Sequence, residues 1–176
     1  QNKNITFNFH QDITSENVEG LKKGSYDLIF GSYSASEPNI EFVPIIQQEI
    51  VAILPTVHPL CNKEALSAKD FADCPVLGYA RHSGLGKYTR SFFKKHDVSP
   101  NFICESPDEN GIASLVAHGF GIALVADVDT IYRDDISIRP LVSNESFSHT
   151  VYMGYIRGKY QLPAVQRFIE FVKQHG

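Results

Sequence analysis

Alternating polar and apolar positions open the chain. In "NITFNFH", residues 4–10, every second residue is apolar, which is the period of a β-strand. The next segment, "TSENVEGLKKG", has apolar residues at helical spacing and ends in glycine, so it predicts a short helix capped by Thr14 or Ser15. The buried-strand pattern "YDLIFGSY" comes next. These three segments predict a βαβ unit with parallel strands and a right-handed crossover.

Strand and helix patterns continue to alternate along the rest of the chain. Strand patterns occur in "IEFVPI", "EIVAILP", "CPVLGY", "NFICES", "GIALVAD", "ISIRPL" and "HTVYMGYIR". Helical spacing occurs in "GLGKYTRSFFKKHD", "DENGIASLVAHG" and "LPAVQRFIEFVKQHG". In "SAKDFAD", Ser67 followed by Asp70 is a capping-box pattern that predicts one helical turn. The class is therefore α/β, with parallel-rich sheets covered by helices.

Composition narrows the classes of function. The chain has 176 residues, 43% of them hydrophobic, enough for one domain or two small ones. Its net charge is -4 and its basic residues are scattered, so the chain is not itself a nucleic-acid surface. The three cysteines, Cys61, Cys74 and Cys104, share no CxxC spacing, which favours a reducing compartment. Without a signal-peptide pattern or a bilayer-length apolar run, we expect a cytoplasmic protein with no membrane partner.

Motifs for catalysis are missing from the sequence. It contains no GxSxG elbow and no HExxH, and its seven histidines lack metal-ligand spacing. "SGLGKYT" fails as a phosphate loop because Arg81 stands where the first glycine is needed and Tyr88 where serine or threonine is needed. "GFGIALV" runs into a strand, so it is no dinucleotide fingerprint. We therefore expect a binding protein, with no enzyme activity, no cofactor and no metal.

Four segments resemble the effector-binding domain of LysR-type transcriptional regulators. In chain order they are "LKKGSYDLIFG", "EIVAILPTVHPL" with "LSAKDFADCPVL", "ENGIASLVAHGFGIALVAD" and "AVQRFIEFVKQ". The resemblance implies a type 2 periplasmic-binding-protein fold, in which two lobes border a ligand cleft. Each lobe would have a mixed, mostly parallel sheet flanked by helices, and two crossover segments would join them. Lobe one would be residues 1–72 with 145–176, and lobe two residues 73–144.

The family also has parts that this chain lacks. A winged helix-turn-helix carries its DNA binding, so we expect this chain to reach DNA only through such an N-terminal domain. A strand and a helix precede the family's equivalent of "NITFNF", and that strand is central to the lobe-one sheet. Because unpaired backbone groups inside a sheet are costly, we expect those residues elsewhere in the molecule or in a neighbouring chain. Family members assemble through these domains, which implies a homodimer or tetramer, with the helices at 15–23 and 87–96 as candidate contacts.

Candidate ligand contacts lie in the loops at strand ends. In open parallel sheets, ligands bind beyond the carboxyl ends of the strands, beside helix N-termini. Three loops supply the candidates. They are Ser32 and Tyr33 after the "DLIF" strand, Arg81, His82, Ser83 and Gly84 after the "VLGY" strand, and Asp108, Glu109 and Asn110 after the "FICE" strand. The resemblance adds Thr56. Arg81 suits either a carboxylate clamp or a loop salt bridge, and Ser83 suits a helix N-cap. We expect a small polar effector that carries a carboxylate.

Two rival functions share the implied fold. One is an exported solute-binding protein of a transporter, which a signal peptide would precede instead of a helix-turn-helix. The other is an enzyme, which would need a nucleophile or metal in the cleft. For the regulator, an effector that prefers the closed arrangement of lobes would shift the population towards it and move the DNA-binding heads.

Overall fold

The computed structural model describes residues 5–175, and residues 1–4 and 176 lie outside this range. The helices are α1 (Thr14–Lys23), α2 (Gly84–Lys95), α3 (Glu109–Ala117) and α4 (Pro163–His175). The strands are β1 (Ile29–Gly31), β2 (Ile40–Pro55), β3 (Pro75–Tyr79), β4 (Asn101–Ser106), β5 (Ile122–Ala126), β6 (Ile136–Arg139) and β7 (Ser148–Ile156). Single 3₁₀ turns cover Pro59–Asn62, Ala68–Phe71 and Asp129–Ile131. The alternation of strands and helices confirms the predicted α/β class.

The chain divides into two compact units. The first unit is Gln1–Ile46 with Thr150–Gly176, and the second unit is Gln47–His149. We expected the divisions at 72/73 and 144/145, but residues 47–72 pack with the second unit. Leu66 and Phe71, from the connector after β2, are fully buried in a core of that unit. The two segments that pass from one unit to the other are therefore strands, β2 and β7.

The first unit packs α1 on a small sheet. β1 pairs antiparallel with β7, so that Ile29 lies opposite Gly154 and Gly31 opposite Tyr152. Val18 and Leu21 of α1 are buried with Ile29 and Ile40 in one apolar cluster. Helical spacing had placed Val18 and Leu21 on one face, and that face is the one that packs.

The predicted strand "NITFNFH" is absent from residues 5–10, which are irregular, while residue 4 lies outside the described residues. The βαβ unit predicted from it does not form in the described part of the chain. Phe7 is 53% exposed and Phe9 91% exposed, and their rings stack on each other. An alternating pattern is compatible with a strand, but a strand also needs a neighbouring strand to form its hydrogen bonds.

The second unit is a sheet with a core on each face. β3 pairs in parallel with β4 and with β5, whereas β2 runs antiparallel to β5 and β6. Neighbouring β2 residues divide between the two faces, because Ile53 belongs to one cluster and Leu54 to the other. Phe92 of α2 is buried in the Leu54 cluster and Ile112 of α3 in the Ile53 cluster. The two helices therefore cover opposite faces of one sheet.

Two further sequence predictions need correction. "IEFVPI" and "EIVAILP" are one continuous strand, β2, of 16 residues. We predicted two separate strands, but the chain stays extended through the polar residues between them, where Gln47 and Glu49 are exposed. The apolar stripe predicted for α4 is only partly buried: Ile169 is buried, Val165, Phe168 and Val172 are half-buried, and Leu162 just before the helix is 61% exposed.

The capping box predicted at residues 67–70 is confirmed. The Asp70 carboxylate accepts hydrogen bonds from the Ser67 amide (2.8 Å) and the Ser67 hydroxyl (2.9 Å), and it pairs with Lys63. Burial works to raise the pKa of Asp70, but the hydrogen bonds from Lys63 and Ser67 outweigh it, so the pKa lies below its ordinary value. The ionised carboxylate thus holds the turn that precedes β3.

Replacing Asp70 with asparagine should lower the free energy of unfolding by about 1 kcal/mol at neutral pH. A carboxyl with a depressed folded-state pKa contributes stability above its unfolded pKa and loses it as pH falls through the folded pKa. The difference between wild type and Asp70→Asn should therefore shrink below the ordinary aspartate pKa of 3.8 and then vanish. Urea denaturation across this pH range measures it, and a difference independent of pH would contradict this role.

Gly24 ends α1 in the left-handed region, with φ 78°. Its added Cβ would have space, the nearest atom being Lys159 Nζ at 3.9 Å, so conformation alone sets the cost of a side chain. We expect Gly24→Ala to lower the free energy of unfolding by about 1 kcal/mol. Asparagine tolerates this conformation, so Gly24→Asn should lose less in the same urea denaturation. Equal losses for the two variants would contradict this explanation.

Candidate functional site

Two helix N-termini meet at one edge of the second unit. β3 and β4 are parallel, and their last residues, Tyr79 and Ser106, lie opposite each other. The loops after both strands leave the same edge and lead into α2 and α3. The Ala80 amide donates to the Ser106 carbonyl at 2.9 Å, which ties the two loops together. The second and third predicted loops, residues 81–84 and 108–110, are therefore neighbours.

Each of these helices has a side-chain cap. Ser83 Oγ accepts from the Gly86 amide at 2.9 Å, and Asp108 Oδ1 accepts from the Gly111 amide at 2.9 Å. The expected N-cap at Ser83 is thus present. A Cβ on Gly86 would lie 2.0 Å from the Ala80 carbonyl oxygen, so glycine is needed for the close approach of α2 to its own loop. The caps satisfy one amide each, and the remaining first-turn amides favour an anion at this edge.

A buried tyrosine holds the start of α3. Tyr79 is 1% exposed, its hydroxyl donates to Glu109 Oε1 at 2.7 Å, and the Ala126 amide donates to that hydroxyl at 3.0 Å. Burial, and then the nearby Glu109 carboxylate, raise the pKa of Tyr79 well above its ordinary value. The phenol therefore stays protonated and joins the ends of β3, β5 and α3. Glu109, which we predicted as a ligand contact, has one oxygen engaged in this bond.

Arg81 forms the loop salt bridge, one of the two roles that the sequence left open. Its side chain is 77% exposed, and its Nε lies 3.8 Å from Glu105 Oε1. The Arg81 amide also donates to Glu105 Oε2 at 2.9 Å. Arg90 donates to the same carboxylate at 2.7 Å and to the Tyr79 carbonyl at 3.0 Å. Sequence reasoning missed Arg90 and Glu105, since no spacing links a helix residue to a residue of the next strand.

A cavity of about 530 Å³ lies beside this salt bridge. Arg81, Arg90, Lys94 and Phe102 are among its lining residues. The Arg90 guanidinium stacks on the Phe102 ring, 4.4 Å from its centroid, and so forms part of the wall. Arg81 thus faces the groove between α2 and β4. His82 is exposed in the loop before α2, and Asn110 is exposed in the first turn of α3.

In the first unit, two predicted residues come directly after β1. The Ser32 amide donates to Thr14 Oγ1 at 3.1 Å, which fixes this loop to the first residue of α1. This bond corrects the predicted cap of α1, where Ile13 is the N-cap residue and no side-chain cap forms. Tyr33 is 60% exposed, and its ring contacts those of Phe42 and Tyr152.

Thr56 does not lie with the other candidates of the second unit. β2 is antiparallel to β5, with Ile50 opposite Ala126 and Ile53 opposite Ala123. The carboxyl end of β2 is therefore at the edge where β3 and β5 begin, whereas the two helix N-termini lie at the edge where β3 ends. Thr56 is exposed there, and its amide donates to the Asp135 carbonyl at 3.3 Å. The strand direction thus contradicts a shared site.

Within residues 5–175, no group of three or more His, Cys, Asp or Glu side chains is placed to hold a metal ion. None of the helices in this part of the chain is long and apolar enough to cross a bilayer. The site is therefore described by loop polar groups, helix amides and aromatic rings.

Comparison with known proteins decides the family. The LysR substrate binding domain matches residues 1–176. The chain belongs to this family. The resemblance predicted from the sequence is thus confirmed, and the chain is a LysR domain.

Curated relatives and solved structures support the assignment. The LysR domain is 24% identical to an uncharacterized HTH-type transcriptional regulator, YybE, of Bacillus subtilis (strain 168), over 98% of the domain and 59% of the relative. It is 26% identical to the HTH-type transcriptional regulator CatR of Pseudomonas putida, over 100% of the domain and 61% of the relative. The domain therefore spans about three fifths of the length of these relatives.

Among solved structures, the effector binding domain of QuiR in complex with shikimate superposes with a TM-score of 0.93 and 26% identity. The match covers 99% of the LysR domain and 83% of that chain. The cofactor-binding domain of the Cbl transcriptional regulator superposes with a TM-score of 0.81 and 23% identity, over 94% of the domain and 73% of that chain. These likenesses confirm the type 2 periplasmic-binding-protein fold.

Tyr79→Phe should remove the acceptor of the buried Ala126 amide and the donor to Glu109. We expect the free energy of unfolding to fall by roughly 1–3 kcal/mol, the cost of leaving a buried donor unsatisfied. Glu109→Gln keeps an acceptor for the tyrosine hydroxyl and should lose less. Tyr160→Phe, at a side chain 79% exposed, is the matched control. If denaturation shows equal stability for Tyr79→Phe and the control, the bridge does not hold α3.

Proposed function

We propose that the LysR domain senses a small effector for a transcriptional regulator, whose DNA-binding domain is N-terminal to this chain. The observation that carries this proposal is the superposition on the QuiR effector binding domain, which was solved with shikimate bound. The curated relatives are HTH-type transcriptional regulators, which supports this function over an exported solute-binding protein of a transporter and over an enzyme. The setting is then cytoplasmic, without a membrane partner.

The effector is a small polar molecule with a carboxylate. The capped N-termini of α2 and α3 present backbone amides at one edge, and such amides attract anions. His82 and Asn110 are exposed beside them as adaptable hydrogen-bonding groups. Ser83 and Asp108 orient the helix ends through their caps, and Gly84 is the first residue of α2. In the first unit, Ser32 and Tyr33 are the candidate contacts, in the loop after β1.

The effector acts by preferring one arrangement of the lobes. A ligand shifts a conformational equilibrium only by the difference in its affinity for the two states. Strands β2 and β7 carry the chain from one unit to the other. In a homodimer or tetramer, with α1 and α2 as candidate contacts, a change in the arrangement of the lobes repositions the DNA-binding domains.

Ligand binding by the full-length protein tests this function. A thermal-shift panel of shikimate and other small carboxylates should include a compound that raises the melting temperature, since a ligand at 100 times its Kd adds about 2.7 kcal/mol of stability. With that compound, His82→Ala and Asn110→Ala should each raise the Kd roughly two- to tenfold, the loss of one hydrogen bond. Isothermal titration calorimetry measures the change.

Asn62→Ala, at an exposed residue of the first 3₁₀ turn, is the control and should bind as wild type does. The same compound should change the protein's affinity for its own promoter DNA in a gel-shift assay. No hit in the panel together with unaltered DNA binding would count against an effector-sensing role. Wild-type affinity of the His82→Ala and Asn110→Ala variants for the compound would count against these two contacts.

A further inference from the structure

Three aromatic rings form a cluster at the end of β1 in the first unit. The Tyr33 ring centroid lies 5.3 Å from that of Phe42 and 5.6 Å from that of Tyr152, and the latter two are 6.3 Å apart. The ring planes meet at 51° to 89°, which are edge-to-face and tilted arrangements. Each ring thus contacts the other two, which favours well-defined ring positions. We call Tyr33, Phe42 and Tyr152 the aromatic wall.

The wall continues the apolar face of the first unit beyond its helix. Ile29 and Ile40 are buried under α1, and Gly31 and Phe42 lie two residues further along their strands on the same face. Tyr152 is the partner of Gly31 in the ladder, so its side chain shares that face.

The N-terminus of α1 lies level with Gly31, so the helix does not cover the sheet beyond that residue. A Cβ on Gly31 would lie 2.7 Å from Oγ1 of Thr14, the first residue of α1, so α1 begins beside Gly31. Tyr33 lies beyond that point and is 60% exposed, while Phe42 and Tyr152 are half-buried. The aromatic face therefore extends past the helix that covers the rest of it. The polar loop that carries Ser32 and Ser34 adjoins it directly.

We propose that the aromatic wall packs against one face of a ring in the effector, and so selects cyclic over open-chain carboxylates. This inference rests on the proposed effector-sensing function and specifies the class of ligand. Tyrosine and phenylalanine rings offer large apolar surfaces with few rotatable bonds, and flat rings pack on them with good contact. Ser32 beside Tyr33 gives the same ligand a polar neighbour.

An open-chain carboxylate gains less at such a wall. It presents narrower surfaces, and each rotatable bond that binding fixes costs conformational entropy. A rigid ring avoids that cost. The wall therefore acts on selectivity through the shape of the ligand.

The experiment compares ring-removing and ring-keeping variants in the full-length protein. The probes are shikimate and benzoate as cyclic carboxylates and adipate as the open-chain one, with Kd from isothermal titration calorimetry. Tyr33→Ala and Tyr152→Ala should raise the Kd of the cyclic probe that binds by about three- to tenfold, as for loss of an aromatic contact. Tyr33→Phe and Tyr152→Phe keep the ring and should change it less than about twofold. Tyr160→Ala, at an exposed tyrosine of the same unit, is the control.

A second readout separates contact from stability. The chain has eight tyrosines, so ¹³C-tyrosine labelling gives few ring signals, and the Phe variants identify those of Tyr33 and Tyr152 by their loss. The cyclic probe should shift these two signals and leave that of Tyr160 in place. A wall with a purely structural role would lower the melting temperature of the Ala variants and leave Kd and these shifts unchanged.

The outcomes distinguish this inference from the proposed function. Binding of adipate but of neither cyclic probe overturns the aromatic wall and leaves effector sensing intact. Equal losses for cyclic and open-chain probes in the Ala variants also overturn it. If no carboxylate binds the wild-type protein, the wall and the carboxylate-effector proposal both fail.

Discussion

The parallel register of β3 with β4 and β5 fixes the positions of the candidate contacts in the second unit. Because the three strands end at one edge, the loops after β3 and β4 are neighbours, and two helices begin beside each other. The Tyr79 hydroxyl then connects the end of β5 to the start of α3 across that edge. A change in this register would separate the loops, the caps and the tyrosine bridge together.

Local sequence patterns predicted most elements of the fold because helix spacing and caps depend on near neighbours. The capping box at Ser67 and Asp70 and the glycine end of α1 are examples. The errors concern pairing. "NITFNFH" has a strand pattern but no strand in residues 5–10, and β2 is one continuous strand where two separate strands were predicted. A ladder depends on a partner distant in sequence, which one chain's pattern does not reveal.

The candidate site was predictable to a similar extent. The rule that ligands lie beyond the carboxyl ends of strands selected residues 81–84 and 108–110, which are neighbours because β3 and β4 are parallel, and their ligand-binding role stays a prediction. Thr56 lies at the other edge of the sheet, because β2 runs antiparallel to β5. Sequence reasoning also missed Arg90, Glu105 and Tyr152, whose roles come from contacts with residues far along the chain. Strand order and direction are tertiary information, and these residues required them.

In the second unit, the side chains that hold the start of α3 differ from those that we propose as effector contacts. The start of α3 is held by a buried phenol and an aspartate cap, while His82 and Asn110 project into solvent and take no part in either bond. Substitutions at such outward positions leave the underlying bonds unaltered. The chemistry of this surface can therefore vary at these two positions while the start of α3 keeps its cap and its buried phenol.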